Sequence, residues 1–373
     1  MAMLNTLAIN CGSYSLRASL FLADGQRINF FYRQPLNQTH DNHHAKLFEC
    51  LLDDLAVALA DYASSTEKHT LLIGHRFVHS GDIAETARLI DADERMRLES
   101  ITHLAPFHIP SNLLGVDICT KTFAHLFKLV QVACFDTAFH HTLSELAYRL
   151  PIPKALDYRR YGFHGLNYAN ITRQLPQHLG KTANGRIVIA HLGSSASLCL
   201  IKNLHAIDTS MSYSPASGIP MGTRSGDIDP GVMLELTKHY DYHALSALVY
   251  QKMGLLALSN GESSDMATLI ASNSDHAKFA IAFFTRQVRA TIGAYAAKVG
   301  GLDAIVFTGG IGENSALVRT MICEHLEFMG FKLDSDKNEQ HATLLNSTDS
   351  KPILMIPADE EAEIARLTHS FGH

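Results

Sequence analysis

Several features are missing from this sequence, and each absence narrows what the chain can be. No uninterrupted apolar run reaches the roughly 18 residues of a membrane-crossing helix, so no membrane partner is indicated. The start, MAMLNTLAINCGSYSLR, carries no basic stretch ahead of its apolar part, and an unexported chain is expected. Lysine and arginine are scattered rather than clustered and the formal net charge is -6, which argues against nucleic acid as a partner and leaves a small molecule. Cys11, Cys50, Cys119, Cys134, Cys199 and Cys323 lie far apart with no CxxC. Reduced, mostly buried thiols and a cytoplasmic location are expected rather than disulfides or zinc ligands. The 22 histidines include His40, His43 and His44 in one polar stretch and the adjacent His140 and His141, but no HExxH or Cys/His pattern accompanies them, so no transition-metal site is expected. Neither GxxxxGK[ST] nor GxSxG occurs, which removes P-loop enzymes and nucleophile-elbow hydrolases.

What is present is a long chain of 373 residues, 46% apolar, enough for two domains with sizeable cores. Just past its middle, Ile219 to Gly231 (IPMGTRSGDIDPG) has neither helical nor strand periodicity and combines glycines, prolines, Arg224, Asp227 and Asp229. It reads as a functional loop, because an arginine among glycines lets a planar fork of donors approach an oxyanion closely; a solvated turn is the plainer alternative.

Two stretches share one design. Thr6 to Ile9, a turn at Asn10 to Ser13, and Leu16 to Leu22 predict a hairpin; Ile187 to His191, a turn at Gly193-Ser194-Ser195, and Ser197 to Ile201 predict a second. The repeat suggests a duplicated α/β domain with a cleft between the copies. Ala45 to Ala63 predicts a helix. Leu71 to Val78 predicts a buried strand carrying His75 and Arg76 near its end, and Val130 to Phe135 predicts another that stops at Asp136. Ala277 to Val299 predicts a long helix with Ile281, Phe284, Val288, Ile292 and Tyr295 on one face and Gly300-Gly301 as its stop. Then Ala304 to Phe307 reads as a strand, Thr308 to Gly312 as a glycine turn, and Asn314 to Met329 as a helix closed by Gly330. In VFTGGIGENS the glycines let backbone amides and a helix N-terminus meet a phosphate closely, although a tight structural turn would look similar.

Taken together and in order, the motifs resemble the acetokinase family, within the superfamily of sugar kinases, heat-shock ATPases and actin. The resemblance runs through INCGSYSLRASLF, GHRFVHSGD, LAPFHIPSNLLG, CFDTAFH, RRYGFHG, IAHLGSSAS, DTSMSYSP, MGTRSGDIDPG, SSDM, FTGGIGENS and IPADEEAEIAR, covering essentially the whole chain. It implies a duplicated actin-like (ribonuclease H-like) α/β fold with an interdomain active-site cleft. The expected domains are 1–137, to which 362–373 would return, and 138–361. It further implies reversible, magnesium-dependent transfer of the γ-phosphoryl group of ATP to a short carboxylate, and a homodimer.

Carried over by position, Arg76 and Arg224 would hold the carboxylate and the phosphoryl oxygens, His164 would donate to the same group, and Asp136 would be the catalytic carboxylate. His108, Val78, Phe107, Phe163 and Pro215 match the substrate site. Asn10 and Glu360 would help place magnesium. Ser13, Ser15, Arg17, His191, Gly193, Ser194, Ser195, Asp265, Met266, Gly310, Ile311, Gly312 and Asn314 match the nucleotide site. Each has a plainer reading: Asp136 as an ion-pair partner or cap, His164 as a core histidine, Glu360 as a solvated helix start, the apolar residues as ordinary core.

The sequence also departs from the family pattern. HLGSSAS stands for HLGNGAS, so Ser194 and Ser195 replace asparagine and glycine. Ala267 stands where SSDxR has arginine. Arg17 stands for lysine, Ile109 for an asparagine, and Gly165-Leu166-Asn167-Tyr168 for GTSH. These changes leave the phosphoryl donor open and admit a catalytically silent sensor as an alternative; propionate or butyrate as acceptor is a separate rival, with the acyl and transfer residues intact. Phe107, where leucine is frequent, would shrink the acyl pocket in favour of acetate.

Overall fold

The computed structural model describes residues 4–12, 15–33, 43–60, 69–106 and 108–372. The expectations for His40, Ser13 and Phe107, and the end of the predicted helix at 61–63, lie outside the described residues. The chain divides into two compact units, one built from Met1–Phe139, Gly165–Asn170 and Asp359–His373, the other from His140–His164 and Ile171–Ala358.

Among the described residues the first unit holds a sheet of β1 (Asn5–Cys11), β2 (Ser15–Phe21), β3 (Arg27–Arg33), β4 (Thr70–Phe77), β5 (Ala87–Leu89) and β6 (Lys128–Phe135), in the order β3-β2-β1-β4-β6-β5. The second holds β7 (Ile187–Leu192), β8 (Ala196–Lys202), β9 (His205–Thr209), β10 (Ala304–Thr308) and β11 (Ile353–Met355), in the order β11-β10-β7-β8-β9. In each sheet the first strand pairs antiparallel with the second, the second antiparallel with the third, and the first parallel with a later strand that pairs parallel with another. The β3-β2-β1-β4-β6 pattern therefore recurs as β9-β8-β7-β10-β11, which is the duplication the two hairpins suggested.

Strands buried on both faces read as continuous apolar runs. One face of the first sheet packs Leu7, Ile9, Leu16 and Ile73 against Phe48, Leu51, Cys119 and Phe123 of helices His43–Ala58 and Ile109–Phe123. The other face packs Ala8, Val132 and Cys134 against Leu166, Ile364 and Leu367. Each fully buried leucine or isoleucine contributes about 2 kcal/mol, so both faces are needed to hold the sheet. In the second unit the helix Asp275–Val299 buries Ile281, Phe284, Val288, Ile292 and Tyr295, the predicted face. Ser274 caps its first turn through Ala277 N, and Gly300 ends it at φ +72.

Three expectations are corrected. The glycine run after β10 is not an open turn: Gly309–Asn314 is already helical, because Gly309 at φ +80 takes the chain directly off the strand. The single helix predicted over Asn314 to Met329 is broken. Ser315 starts a separate helix Ala316–Cys323 by accepting from Val318 N, and Glu327–Met329 is a short 3-10 turn before Gly330. The loop from Ile219 ends two residues early as well, since Pro230 and Gly231 open the helix Pro230–Leu236 with Asp229 as its cap.

Candidate active site

In open α/β sheets, binding groups collect beyond the carboxyl ends of the parallel strands. In the first unit β1, β4 and β6 end at Asn10-Cys11, Arg76-Phe77 and Phe135-Asp136, and the polar side chains there meet. Arg76 Nε and Nη2 donate to Asp136 Oδ2 at 2.8 and 2.5 Å, and Arg76 Nη1 donates to Asn10 Oδ1 at 3.1 Å. Asn10 Nδ2 donates to Glu360 Oε2 at 2.6 Å and Glu361 Oε1 at 2.8 Å. Asp136 is fully buried, and besides Arg76 the backbone N–H of Leu166 supports its charged form. Its main chain is fixed too: Gly165 N donates to Asp136 O at 2.9 Å.

Burial pushes the Asp136 carboxyl above its ordinary pKa, against the pull of the Arg76 charge. Burial works to lower Arg76, but the negative charge of Asp136 and Glu360 outweighs it and holds the guanidinium above its usual pKa. The pair thus keeps a permanent cation at the strand ends, with its fork oriented by a carboxylate that water does not reach. Glu361 is also pushed up, by burial and then by the Glu360 charge. Nearby in this unit, Val78 is buried just after β4, His108 precedes helix Ile109–Phe123, and Arg17 lies opposite Asn10 across the hairpin with its guanidinium 5.3 Å from the Phe31 ring. Ser15 O accepts from Gly12 N at 2.9 Å and closes the first turn.

In the second unit the turn between β7 and β8 meets two other backbone segments. Gly222 N donates to Ser194 O at 3.0 Å. Cβ atoms built on the glycines measure how closely the backbones approach: at Gly193 one would lie 3.9 Å from Gly310 N, at Gly222 2.9 Å from Ser264 O, at Gly309 2.8 Å from Leu192 O. The turn, the loop through Met221 to Arg224, the Ser263-Ser264-Asp265 stretch and the Gly309–Gly312 turn therefore form one glycine-lined patch.

His164 borders the patch. Its ring stacks on His191 with centroids 4.2 Å apart, Nδ1 lies 2.8 Å from Ser197 Oγ, and Nε2 lies 3.1 Å from Ser195 Oγ. Arg224 Nη1 donates to Pro215 O at 2.7 Å. Phe163 is buried and its carbonyl lies 2.9 Å from His140 Nε2. Asp265 caps the helix Met266–Ala271 through Thr268 N, with Met266 buried behind it, and Asn314 Nδ2 donates to Gly310 O at 2.9 Å. Ile311 is half-buried in the same turn.

The first unit thus brings together Asn10, Arg76, Asp136 and Glu360; the second brings together His164, His191, Gly193, Ser194, Ser195 and Gly310. Sequence reasoning missed four contributors. Glu361 is the second carboxylate on Asn10. Ser197 on β8 holds the far nitrogen of His164, and its position two residues past Ser195 was the available signal. Glu313 Oε1 accepts from Ala358 N at 2.9 Å, tying the glycine turn to the stretch before Glu360. Arg319, fully buried, donates to the carbonyls of Gly312 and Glu313 and fixes the end of that turn.

The sequence profile of the Acetokinase family matches residues 5–366. An acetate kinase of Nitrobacter hamburgensis is 43% identical over 306 residues, 80% of this chain and 75% of the relative. Among solved structures, a propionate kinase from Francisella tularensis subsp. tularensis superposes with a TM-score of 0.85 at 30% identity, covering 98% of this chain and 99% of that one. The acetate kinase of Porphyromonas gingivalis superposes with a TM-score of 0.81 at 31% identity, covering all of both chains.

Proposed function

The chain belongs to the acetokinase family, and from that premise we propose that it is an acetate kinase, moving the γ-phosphoryl group of ATP reversibly to acetate to give acetyl phosphate and ADP. The observation that carries the reading is the Arg76–Asp136 pair at the ends of β4 and β6, its aspartate fully buried. A carboxylate acceptor, with a pKa of about 4 to 5, is already ionised and needs no general base. An aspartate spent on orienting an arginine is what such a reaction calls for. The demand is for charge cancellation on the nucleophile, the transferring group and the leaving diphosphate, with in-line alignment.

In this reading Arg76 and Arg224 take the acetate carboxylate and the equatorial phosphoryl oxygens, and His164 supplies hydrogen bonding to the same group. Val78, Phe163 and Pro215 surround the acyl methyl. The turns Gly193–Ser195 and Gly309–Gly312 receive the nucleotide phosphates. Magnesium favours hard oxygen donors and keeps most of its shell in water and phosphate oxygens. The half-buried Glu360 carboxylate offers that chemistry, and Asn10 holds Glu360 in place. These residues would hold the ion, which when bound neutralises phosphate charge.

A homodimer is supported by helices Pro230–Leu236 and Tyr242–Gln251, which bury none of their residues while Leu234 and Tyr242 are 69% and 76% exposed. An apolar surface of this kind usually meets a partner, and sedimentation at micromolar concentration should give twice the chain mass. The free state of all six cysteines supports a cytoplasmic location.

The superposition on a propionate kinase favours one second reading, a longer acyl acceptor. Hydroxamate-trapped acyl phosphate with acetate, propionate and butyrate offered in turn separates them. Acetate giving the highest kcat/KM supports the proposal, and propionate exceeding it by tenfold or more replaces it. The same panel with pyrophosphate in place of ATP tests the donor.

A further inference from the structure

Both ring nitrogens of His164 end on serine hydroxyls that flank a single alanine at the start of β8. Ser197 is fully buried, whereas Ser195 is half-buried in the turn beside Gly193 and the Gly310 amide. One end of this three-residue array is therefore shut inside the unit, and the other opens onto the glycine-lined patch. The imidazole between them is held rigidly. His164 has a left-handed backbone, φ +59, at the start of helix Gly165–Leu179, and its ring stacks on His191 at an interplanar angle of 20°.

A fixed ring whose Nε2 already meets a hydroxyl reaches a phosphoryl oxygen through that hydroxyl. The donor and acceptor count permits it: Ser197 O–H donates to Nδ1, Nε2–H donates to Ser195 Oγ, and the Ser195 proton is left pointing outward. The competing acceptor near Ser195 Oγ is Met221 Sδ at 3.8 Å, a weak one. An anion at the patch favours this direction of the array, because it presents a donor to negative charge.

We propose that Ser195 is a catalytic residue that hands the hydrogen bond of His164 to the transferring phosphoryl group; the proposal rests on the phosphotransferase reading above. Glycine was the expectation at Ser195 from the family resemblance, and the side chain present there supplies the hydroxyl this arrangement needs. Developing charge on the phosphoryl oxygens strengthens the bond in the transition state more than in the ground state, so its loss falls on kcat rather than on KM.

The test compares Ser195→Ala, Ser195→Gly and Ser195→Thr in steady-state formation of acyl phosphate from magnesium-ATP and acetate, alongside 15N NMR of histidine-labelled enzyme with His164 assigned through a His164→Gln variant. Ala and Gly are expected to lower kcat about 10- to 100-fold, with both KM values within about twofold, while Thr, which keeps the hydroxyl, retains most of kcat. The His164 Nε2 resonance should move in Ser195→Ala and Nδ1 should move in Ser197→Ala. Ala and Gly variants within twofold of wild-type kcat, or an Nε2 resonance unmoved by Ser195→Ala, overturn the role of Ser195 while leaving the kinase reading intact. A wild-type enzyme that forms no acyl phosphate overturns both, and that outcome is separate from the other two.

Discussion

Gly165 shows how closely the site is built at the scale of one residue. Its amide donates to the Asp136 carbonyl, and a methyl group on its Cα would lie 2.0 Å from that oxygen and 2.8 Å from Phe139 Cβ. Gly165→Ala must push Asp136 away, and Asp136 carries the Arg76 fork with it. The expected result is a destabilisation of about 1–3 kcal/mol in urea unfolding and a fall in kcat of about 100-fold. A variant with wild-type kcat would separate Asp136 from the chemistry. That Arg76 and Asp136 would meet was legible in the sequence, because each closes an aliphatic strand in a distinctive short motif. The contact of Glu361 with Asn10 was not, since the two are 351 positions apart and only the packing of helix Glu360–His369 on the sheet brings them together. Arg319 in ENSALVR looks like an exposed helical arginine; its burial follows from the unsatisfied carbonyls at the end of Gly309–Asn314, which no local pattern reveals.

At the scale of elements, the strands that form the site are aligned by contacts at their opposite ends. Asp303, just before β10, accepts from Arg186 N at 2.7 Å, from Arg186 Nε at 2.9 Å and, through Oδ1, from Nη2 at 2.7 Å, pinning the start of β7 beside it. These bonds to Arg186 bring the Asp303 pKa down to about 2. A carboxylate whose folded pKa is depressed stabilises the fold above its unfolded pKa, near 3.8, and loses that contribution as pH falls toward about 2. Asp303→Asn should therefore cost about 1 kcal/mol at pH 7 after solvent screening and flatten the acid limb of stability between pH 4 and 2. An unchanged acid limb would remove the pair from the account. The hairpins and the long helix were legible because their apolar periods are clean. The glycine run was misread because whether Gly309 opens a loop or a helix depends on its positive φ, which composition does not specify.

For the whole molecule, the duplication was readable from two strand-turn-strand units, but the recurrence of the full strand order needed the later parallel strands, which pair across long sequence gaps. Core histidines set a further global property. Burial holds His75 and His140 at about 4 and His79 at about 3, against an ordinary value of 6.5. The unfolded chain takes up protons below pH 6.5 that the folded chain refuses until about pH 4, so stability falls as pH drops through that window. Asp136 and Glu361, pushed up by burial, act in the opposite sense only in the carboxylate range. The midpoint of thermal unfolding should decline steadily from pH 7 to pH 5; a flat profile would mean that these histidines are protonated in the native state.

The most direct test of the central claim is hydroxamate-trapped acetyl phosphate formed by purified protein from magnesium-ATP and acetate, with Arg76→Ala and Arg224→Ala measured beside it. Product that depends on acetate and falls by about 100-fold or more in both variants is the predicted result. Wild-type protein that is folded yet forms no acetyl phosphate, or variants that match it, would contradict the account.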